Sequence, residues 1–113
     1  MKVNPFTVPA WKKLLTENDP ASFTTPVAAP LLIYQGGADE QIPVISTQIL
    51  ATQLCATGQD LERWIYPGRS HTGVIPPASG DFIQWMADRF ANDPNPDPYQ
   101  PSGQAGIMTT TCN

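Results

Sequence analysis

The sequence predicts an α/β fold in which helix, strand, helix, strand and helix follow one another and the two strands are parallel. Two short apolar runs, residues 31–35 (LLIYQ) and 61–67 (LERWIYP), are typical of strands in a buried sheet. The amphipathic segment between them is long enough for a crossover helix, and such a strand-helix-strand unit is right-handed and makes its strands parallel. The length of 113 residues, 41% of them hydrophobic, fits one small domain with one core.

The first predicted helix is the segment PAWKKLLT, residues 9–16. Proline suits the first position of a helix, where no N–H bond is lost, and Trp11, Leu14 and Leu15 recur at helical spacing. We expect the three tryptophans of the chain to lie in the core, because each falls on an apolar strand or helix face. The following segment, up to residue 30, contains three prolines and is predicted to be a loop.

The second predicted helix covers residues 44–57, after the first strand has ended at Gly36 and Gly37. Gly58 follows this helix as a natural C-terminal cap. The predicted buried side consists of apolar residues at helical spacing, namely Ile45, Ile49, Leu50, Leu54 and Cys55.

The third predicted helix is ASGDFIQWMADRFAND, residues 78–93, which follows the loop GRSHTGVIPP. Ser79 can cap its N-terminus, and Asp81 suits the positive end of the helix dipole. The predicted buried stripe is Phe82, Trp85, Met86 and Phe90.

The charge pattern argues against two classes of partner. The net charge is −4 and the six Lys and Arg residues are scattered, so no basic stripe could neutralise the phosphates of a nucleic acid. No apolar run approaches the ~20 residues that span a bilayer, so we expect no stable membrane anchor. The N-terminus, MKVNPFTVPAW, lacks the apolar region of a signal peptide.

Cys55 and Cys112 are too few for a zinc site and leave two alternatives open, a disulfide or two free thiols. Residues 93–113 form a Pro-rich, weakly apolar tail that is predicted to be extended and that would otherwise fray. A bridge would pin this tail, and closing so long a loop would contribute ~3 to 5 kcal/mol.

An aspartate directly after the first strand and a histidine after the second are the candidate functional residues. Parallel neighbours end at the same edge of a sheet, so Asp39 and His71 should lie close together. A carboxylate that accepts the Nδ1–H of an imidazole fixes the tautomer and supports the imidazolium formed when the ring takes a proton from a nucleophile. Taken singly, Asp39 would be a helix cap and His71 an ordinary surface or core residue. Their placement on adjacent strand ends favours a catalytic acid and base.

The segments QGGADEQIP, YPGRSHTGV and WMADRF together resemble the C-terminal end of α/β-hydrolases, and most closely the secretory lipase family of actinobacteria and fungi, over residues 4–92. The resemblance implies a partial α/β-hydrolase fold for residues 1–92, followed by the tail 93–113. It also implies that Asp39 and His71 are the acid and base of a Ser-His-Asp triad that cleaves carboxylic esters such as triacylglycerols, that no cofactor is needed, and that the protein is secreted. The order of aspartate before histidine agrees with the chain order of α/β-hydrolases.

The sequence departs from this family at the nucleophile. The elbow G-x-S-x-G should lie upstream of Asp39, yet it occurs nowhere in the 113 residues. The nearest string is GRSHTG, in which Thr72 stands where the motif needs glycine, and Ser70 adjoins His71, so that the two side chains should point to opposite sides. Ser70 is therefore a poor candidate nucleophile. The oxyanion hole is missing along with the elbow.

The leading hypothesis is a lipase C-terminal segment, truncated relative to the family, that supplies the acid and base and has little or no activity alone. A second hypothesis is a non-catalytic module that binds a partner chain or lipid through an apolar face. A metal-dependent hydrolase is disfavoured, since one histidine with Asp39, Glu40 and Asp81 falls short of a zinc site. Two strands leave an apolar sheet edge unpaired, so we expect a homo-oligomer or a complementing hydrolase chain.

Overall fold

The computed structural model describes residues 3–91 and 98–112. Its helices are α1 (Pro9–Glu17), α2 (Val44–Ala56) and α3 (Ile75–Phe90), and its strands are β1 (Leu31–Gly36), β2 (Leu61–Tyr66) and β3 (Met108–Cys112). Short 3-10 turns at Pro5–Thr7 and Pro20–Ser22 precede and follow α1. The elements α1 to α3 occur in the predicted order, and the chain forms an α/β structure.

The sheet has three strands in the order β1-β2-β3. β1 and β2 are parallel, with Leu31 opposite Leu61 and Gly36 opposite Tyr66, whereas β3 runs antiparallel to β2. The prediction of two parallel strands is confirmed, but the prediction that the sheet has no third strand is wrong. The missed signal is the β-branched run 109–111 (TTT), which suits a strand although prolines and glycines precede it. The predicted boundary between residues 92 and 93 lies outside the described residues.

α2 packs against the sheet through a small apolar cluster. Ala51 of α2 packs with Leu61 of β2 in this part of the core. Ile45 and Ile49 are 56% and 52% exposed, so the predicted buried stripe is wrong at these two positions. The side of α2 that faces the sheet instead carries Ala51 and Leu54, which are 5% and 4% exposed. The predicted residues that are buried or partly buried are Leu50, Leu54 and Cys55.

α3 begins at Ile75, earlier than predicted, because prolines are tolerated in the first turn of a helix. Ser79 therefore lies inside the helix, and its hydroxyl donates to the carbonyl of Pro76 (2.9 Å) instead of capping the N-terminus. Asp81 does not lie at the positive end of the dipole either. It is buried within the helix, and the residues that it binds are described below.

The larger part of the core lies between the sheet and α3. It contains Trp64, Tyr66, Val74, Ala78 and Trp85, with Phe82 partly buried against it. The prediction of a buried position is thus confirmed for Trp64 and Trp85.

Three further apolar residues predicted to be buried are exposed instead. Trp11 is 54% exposed, and α1 has no buried residue among those that the structure describes. Met86 and Phe90 are 41% and 88% exposed, because α3 turns its Ala78, Asp81 and Trp85 side toward the sheet and these two lie to one side of it.

Glu62 of β2 is a buried charge that joins the strand to α3. Its side chain accepts hydrogen bonds from the indole N–H groups of Trp64 (3.2 Å) and Trp85 (3.0 Å). The guanidinium of Arg89 forms an ion pair with it at 3.0 Å and lies 5.1 Å from the Trp85 ring centroid. A buried carboxylate is tolerated only when its oxygens are satisfied in this way.

Asp81 fastens the tail to α3. Its carboxylate accepts the hydroxyl of Tyr66 (2.7 Å) and the backbone N–H groups of Ser102 and Gly103 (both 2.8 Å). The backbone comes so close that a Cβ on Gly103 would lie 1.8 Å from the carbonyl oxygen of Pro77. Burial alone would raise the pKa of Asp81, but the hydrogen bonds from Ser102, Tyr66 and Gly103 outweigh burial and hold the pKa below its usual value.

A disulfide between Cys55 and Cys112 joins the end of α2 to β3, with the two Cα atoms 5.7 Å apart. Of the two alternatives that the sequence left open, the bridge is the one present. Together with Asp81 it holds the described part of the tail against the domain.

Asp81→Asn should lower the free energy of unfolding by about 2 kcal/mol or more, because one amide oxygen must replace two carboxylate oxygens and the new NH₂ would face N–H donors. Folding lowers the pKa of this carboxyl, so its contribution is complete above the unfolded value of ~4 and is lost as pH falls below it. Urea denaturation of both proteins at about pH 7 and at about pH 3 measures the two effects.

Asp88→Asn is the matched control on the same helix, since Asp88 accepts an exposed bond from Gln84 (2.8 Å) and accepts no backbone N–H within residues 3–91 and 98–112. This control should stay within about 0.5 kcal/mol of the wild type. Equal losses in the two variants, or a loss at Asp81 that does not shrink in acid, would contradict this account.

Candidate active site

The segments after β1 and β2 stay paired beyond the ends of the strands. The N–H of Gly37 donates to the carbonyl of Tyr66 (2.8 Å), and the N–H of Ala38 donates to that of Arg69 (2.9 Å). The two backbones approach so closely that a Cβ on Gly36 would lie 2.1 Å from the carbonyl oxygen of Arg69. Glycine is required at position 36 for this approach, which places the two loops side by side at one edge of the sheet.

Asp39 and His71 are hydrogen-bonded at this edge, as the sequence predicts. The Nδ1 atom of His71 lies 3.0 Å from Oδ2 and 3.2 Å from Oδ1 of Asp39. The aspartate side chain is 3% exposed, whereas that of the histidine is 38% exposed. An ionised carboxylate can only accept, so Nδ1 carries the proton and Nε2 is the acceptor of the neutral ring. Within residues 3–91 and 98–112, no hydrogen bond to Nε2 is present.

The environment of Asp39 stabilises its ionised form. Oδ1 accepts the backbone N–H groups of Gln41 and Ile42, both at 2.9 Å, and Oδ2 accepts the amide of Gln35 at 3.2 Å. Burial alone would raise the pKa of Asp39, but the hydrogen bonds from Ile42, His71 and Gln41 outweigh it and hold the pKa well below its usual range. Asp39 does not cap α2, whose N-cap is Pro43. It closes its own turn and keeps a negative charge against the imidazole.

Glu40 is a contributor that sequence reasoning missed. It is exposed, and its Oε2 accepts the backbone N–H of His71 at 3.1 Å. This bond to His71 lowers the pKa of the Glu40 carboxyl. The available signal was the consecutive pair Asp39-Glu40: two neighbouring carboxylates opposite one loop can bind the ring and the backbone of the same histidine.

The serines give the histidine no partner in the described structure. The hydroxyl of Ser70 accepts the N–H of Gly73 at 3.1 Å, which closes the turn around His71. Ser46 lies on the exposed side of α2, and the hydroxyl of Ser79 donates to the carbonyl of Pro76. No described hydroxyl is hydrogen-bonded to the ring. The described part of the site thus has a histidine and an orienting carboxylate without a nucleophile beside them. That Ser70 is a poor candidate nucleophile stays a prediction.

Two further features bear on what the site could hold. A groove of about 540 Å³ lies between α2 and the strands β2 and β3, and neither Asp39 nor His71 lines it. Among the residues that the structure describes, no group of three or more His, Cys, Asp or Glu side chains is placed to hold a metal ion. In the same part of the chain no helix has the length and apolar character that crossing a membrane requires.

Comparison with known families gives a match over most of the chain. A family model described as secretory lipase matches residues 6–97, a range that contains both Asp39 and His71. No curated protein matches the chain, and no solved structure does.

Gly36→Ala should separate the two loops, because the added methyl group would meet the backbone carbonyls of Arg69 and Ser70 at 2.1 and 2.6 Å. We expect a loss of about 2 to 4 kcal/mol in the free energy of unfolding, measured by urea denaturation, since backbone cannot yield as a flexible side chain can. The histidine ring signals in an NMR spectrum should also move toward those of the denatured chain.

Gly80→Ala is the matched control. Position 80 lies within α3, where an added Cβ would meet nothing within 4 Å, so alanine should leave stability unchanged or raise it by up to about 1 kcal/mol. If Gly36→Ala is as well tolerated as Gly80→Ala, the close approach of the two loops is not as described.

Proposed function

This chain belongs to the secretory lipase family, and we propose that it supplies the acid, Asp39, and the base, His71, of a Ser-His-Asp hydrolase that cleaves carboxylic esters of lipids. The observation that carries the proposal is the hydrogen bond of 3.0 Å between Asp39 Oδ2 and His71 Nδ1 at the carboxyl ends of two adjacent parallel strands. The order of elements from β1 to α3 supports the finer assignment of a partial α/β-hydrolase fold.

The chemistry follows from the two ring nitrogens of His71. Nε2 takes the proton of a serine hydroxyl as that oxygen attacks the ester carbonyl, and the charge that develops on the ring is stabilised by Asp39 at Nδ1. The imidazolium then gives this proton to the departing alcohol. A water molecule then attacks the acyl-enzyme and gives a proton to Nε2, and the ring passes this proton to the serine oxygen as the fatty acid leaves. The histidine is neutral again at the end of the cycle.

The nucleophile and the oxyanion hole come, in this proposal, from a G-x-S-x-G segment outside these 113 residues. The sequence given contains no such motif, and no described serine is bonded to the His71 ring. Secretion is part of the same proposal. The bond between Cys55 and Cys112 supports it, because disulfides persist in oxidising compartments.

The activity test uses a polypeptide in which this sequence follows a family segment that carries G-x-S-x-G. His71→Ala should lower kcat for a p-nitrophenyl ester by about 10⁴-fold or more, and Asp39→Asn by about 10⁴-fold through the wrong tautomer. The control Asp60→Asn, an exposed residue just before β2, should leave kcat unchanged. Full activity in the His71→Ala variant would refute the assignment of the base.

The 113-residue chain alone should hydrolyse the same ester no faster than its own His71→Ala variant, because it lacks the attacking serine. Labelling of the free chain by a serine-directed fluorophosphonate gives an independent reading. Stoichiometric labelling of Ser70, Ser46 or Ser79 would mean that the chain carries a nucleophile of its own.

Assembly is the second part of the proposal. Trp11, Leu14 and Leu15 are 54%, 52% and 40% exposed on one face of α1. Within the described sheet β1 has only β2 as a neighbour, so its other edge is unpaired. These two surfaces support a homo-oligomer or a complementing hydrolase chain. They also favour the alternative function of a non-catalytic module that binds a partner or lipid.

The free chain should therefore elute above monomer mass in size-exclusion chromatography with light scattering at low micromolar concentration. Replacing Trp11 and Leu15 by Glu should shift it toward monomer, because charge on this face opposes its burial. The matched control Lys12→Glu, exposed on the same helix, should not. A monomeric wild type with sharp cooperative unfolding would contradict the need for a partner.

A further inference from the structure

A chain of hydrogen bonds leads from the interior of the sheet to the carboxylate of Asp39. Arg63 of β2 donates through Nε to the hydroxyl of Thr47 on α2 (3.0 Å), and Thr47 donates to Oε1 of Gln35 on β1 (2.6 Å). The amide of Gln35 then donates through Nε2 to Asp39 Oδ2 (3.2 Å) and to the carbonyl of Ile42 (2.7 Å). The three bonds that join Arg63 to Asp39 run in the same direction, from a cation to a carboxylate.

We propose that Gln35 is a positioning residue for the catalytic acid, and that Thr47 and Arg63 hold its amide in the orientation that this role requires. The inference rests on the proposed function, because positioning matters only if Asp39 serves His71. It adds three residues, Gln35, Thr47 and Arg63, that lie behind Asp39 and outside the proposed triad.

The orientation of the Gln35 amide follows from its partners. If the amide were flipped, its oxygen would face the carboxylate of Asp39 and the carbonyl of Ile42, which are both acceptors, and its NH₂ would face Thr47. In the orientation present, Oε1 accepts from the Thr47 hydroxyl at 2.6 Å, a shorter contact than the 3.1 Å between that hydroxyl and the carbonyl of Val44, and the Thr47 oxygen accepts from Arg63. Removing the hydroxyl would leave Oε1 without this donor, so the amide would be held only through its NH₂ group.

Burial makes this arrangement specific. Gln35 is 5% exposed and Arg63 is 7% exposed, so water cannot readily replace a missing partner. Arg63 also donates through Nη2 to the carbonyl of Val44 (3.0 Å) at the start of α2. The strands β1 and β2, whose following loops carry Asp39 and His71, are thus joined to α2 by hydrogen bonds. A displaced Gln35 amide would change the position of Asp39 directly, because the two side chains are hydrogen-bonded.

His71 provides the probe, because it is the only histidine of the chain and its ring signals need no further assignment. In the ¹⁵N-labelled chain at alkaline pH, with the ring neutral, the nitrogen chemical shifts give the ratio of the Nδ1–H to the Nε2–H tautomer. A correctly placed Asp39 favours Nδ1–H. The urea-denatured chain supplies the reference for a ring without a partner.

Gln35→Met and Thr47→Val should each lower the Nδ1–H to Nε2–H ratio by on the order of 5-fold, the effect of one lost hydrogen bond. Thr47→Ser should restore the wild-type ratio, since it keeps the hydroxyl. Gln53→Met, an exposed glutamine on α2, is the control and should leave the ratio unchanged. If Gln35→Met fails to fold, as judged by circular dichroism, the proposal is tested by comparing the Nδ1–H to Nε2–H ratio of Thr47→Val with that of Thr47→Ser.

Asp39→Asn separates the two proposals. If this variant leaves the ratio at the wild-type value, the acid-base pair of the proposed function is wrong. If Asp39→Asn abolishes the preference for Nδ1–H while folded Gln35→Met or Thr47→Val does not change it, the pair stands and the positioning role of Gln35 is refuted.

Discussion

The parallel pairing of β1 with β2 is the constraint on which the other features depend. It sets Gly36 opposite Tyr66, and the backbone bonds that continue to Ala38 and Arg69 carry the register into both loops. A shift of one residue would turn every side chain of a strand to the other face of the sheet. Asp39 and His71 then meet because backbone geometry brings their loops together.

Much of this organisation could be predicted because it depends on local patterns. Apolar runs with flanking glycine or proline predict the strands and helices, and parallel strands imply that the residues after them are neighbours. The partners of the site could not be predicted in the same way. Glu40 contacts His71 through one hydrogen bond and Gln35 contacts Asp39 through one. The existence of each bond depends on a distance of about 3.2 Å or less, which follows from packing and not from residue spacing.

The predictions that fail have two physical causes. Ile49 on α2 and Phe90 on α3 have the spacing of a buried stripe, yet a sheet of three strands is too narrow to cover a whole helix face. The sequence does not predict β3, because its pairing with β2 joins segments far apart in the chain and local propensity is a weak guide to such pairing. Buried polar groups provide part of the packing interactions in this small domain: Glu62 and Asp81 accept hydrogen bonds from buried donors, whereas a larger domain would have more apolar contacts.

The covalent bond between Cys55 and Cys112 spans a sequence separation of 57 residues and closes a ring that contains His71 but not Asp39. A protease that cuts one peptide bond inside this ring would leave a nicked molecule whose two pieces are still joined. Such a two-chain form would run as one band on a non-reducing gel and as two after reduction. In a protease-rich medium, a single cut within the ring would therefore not by itself detach the segment that carries the histidine.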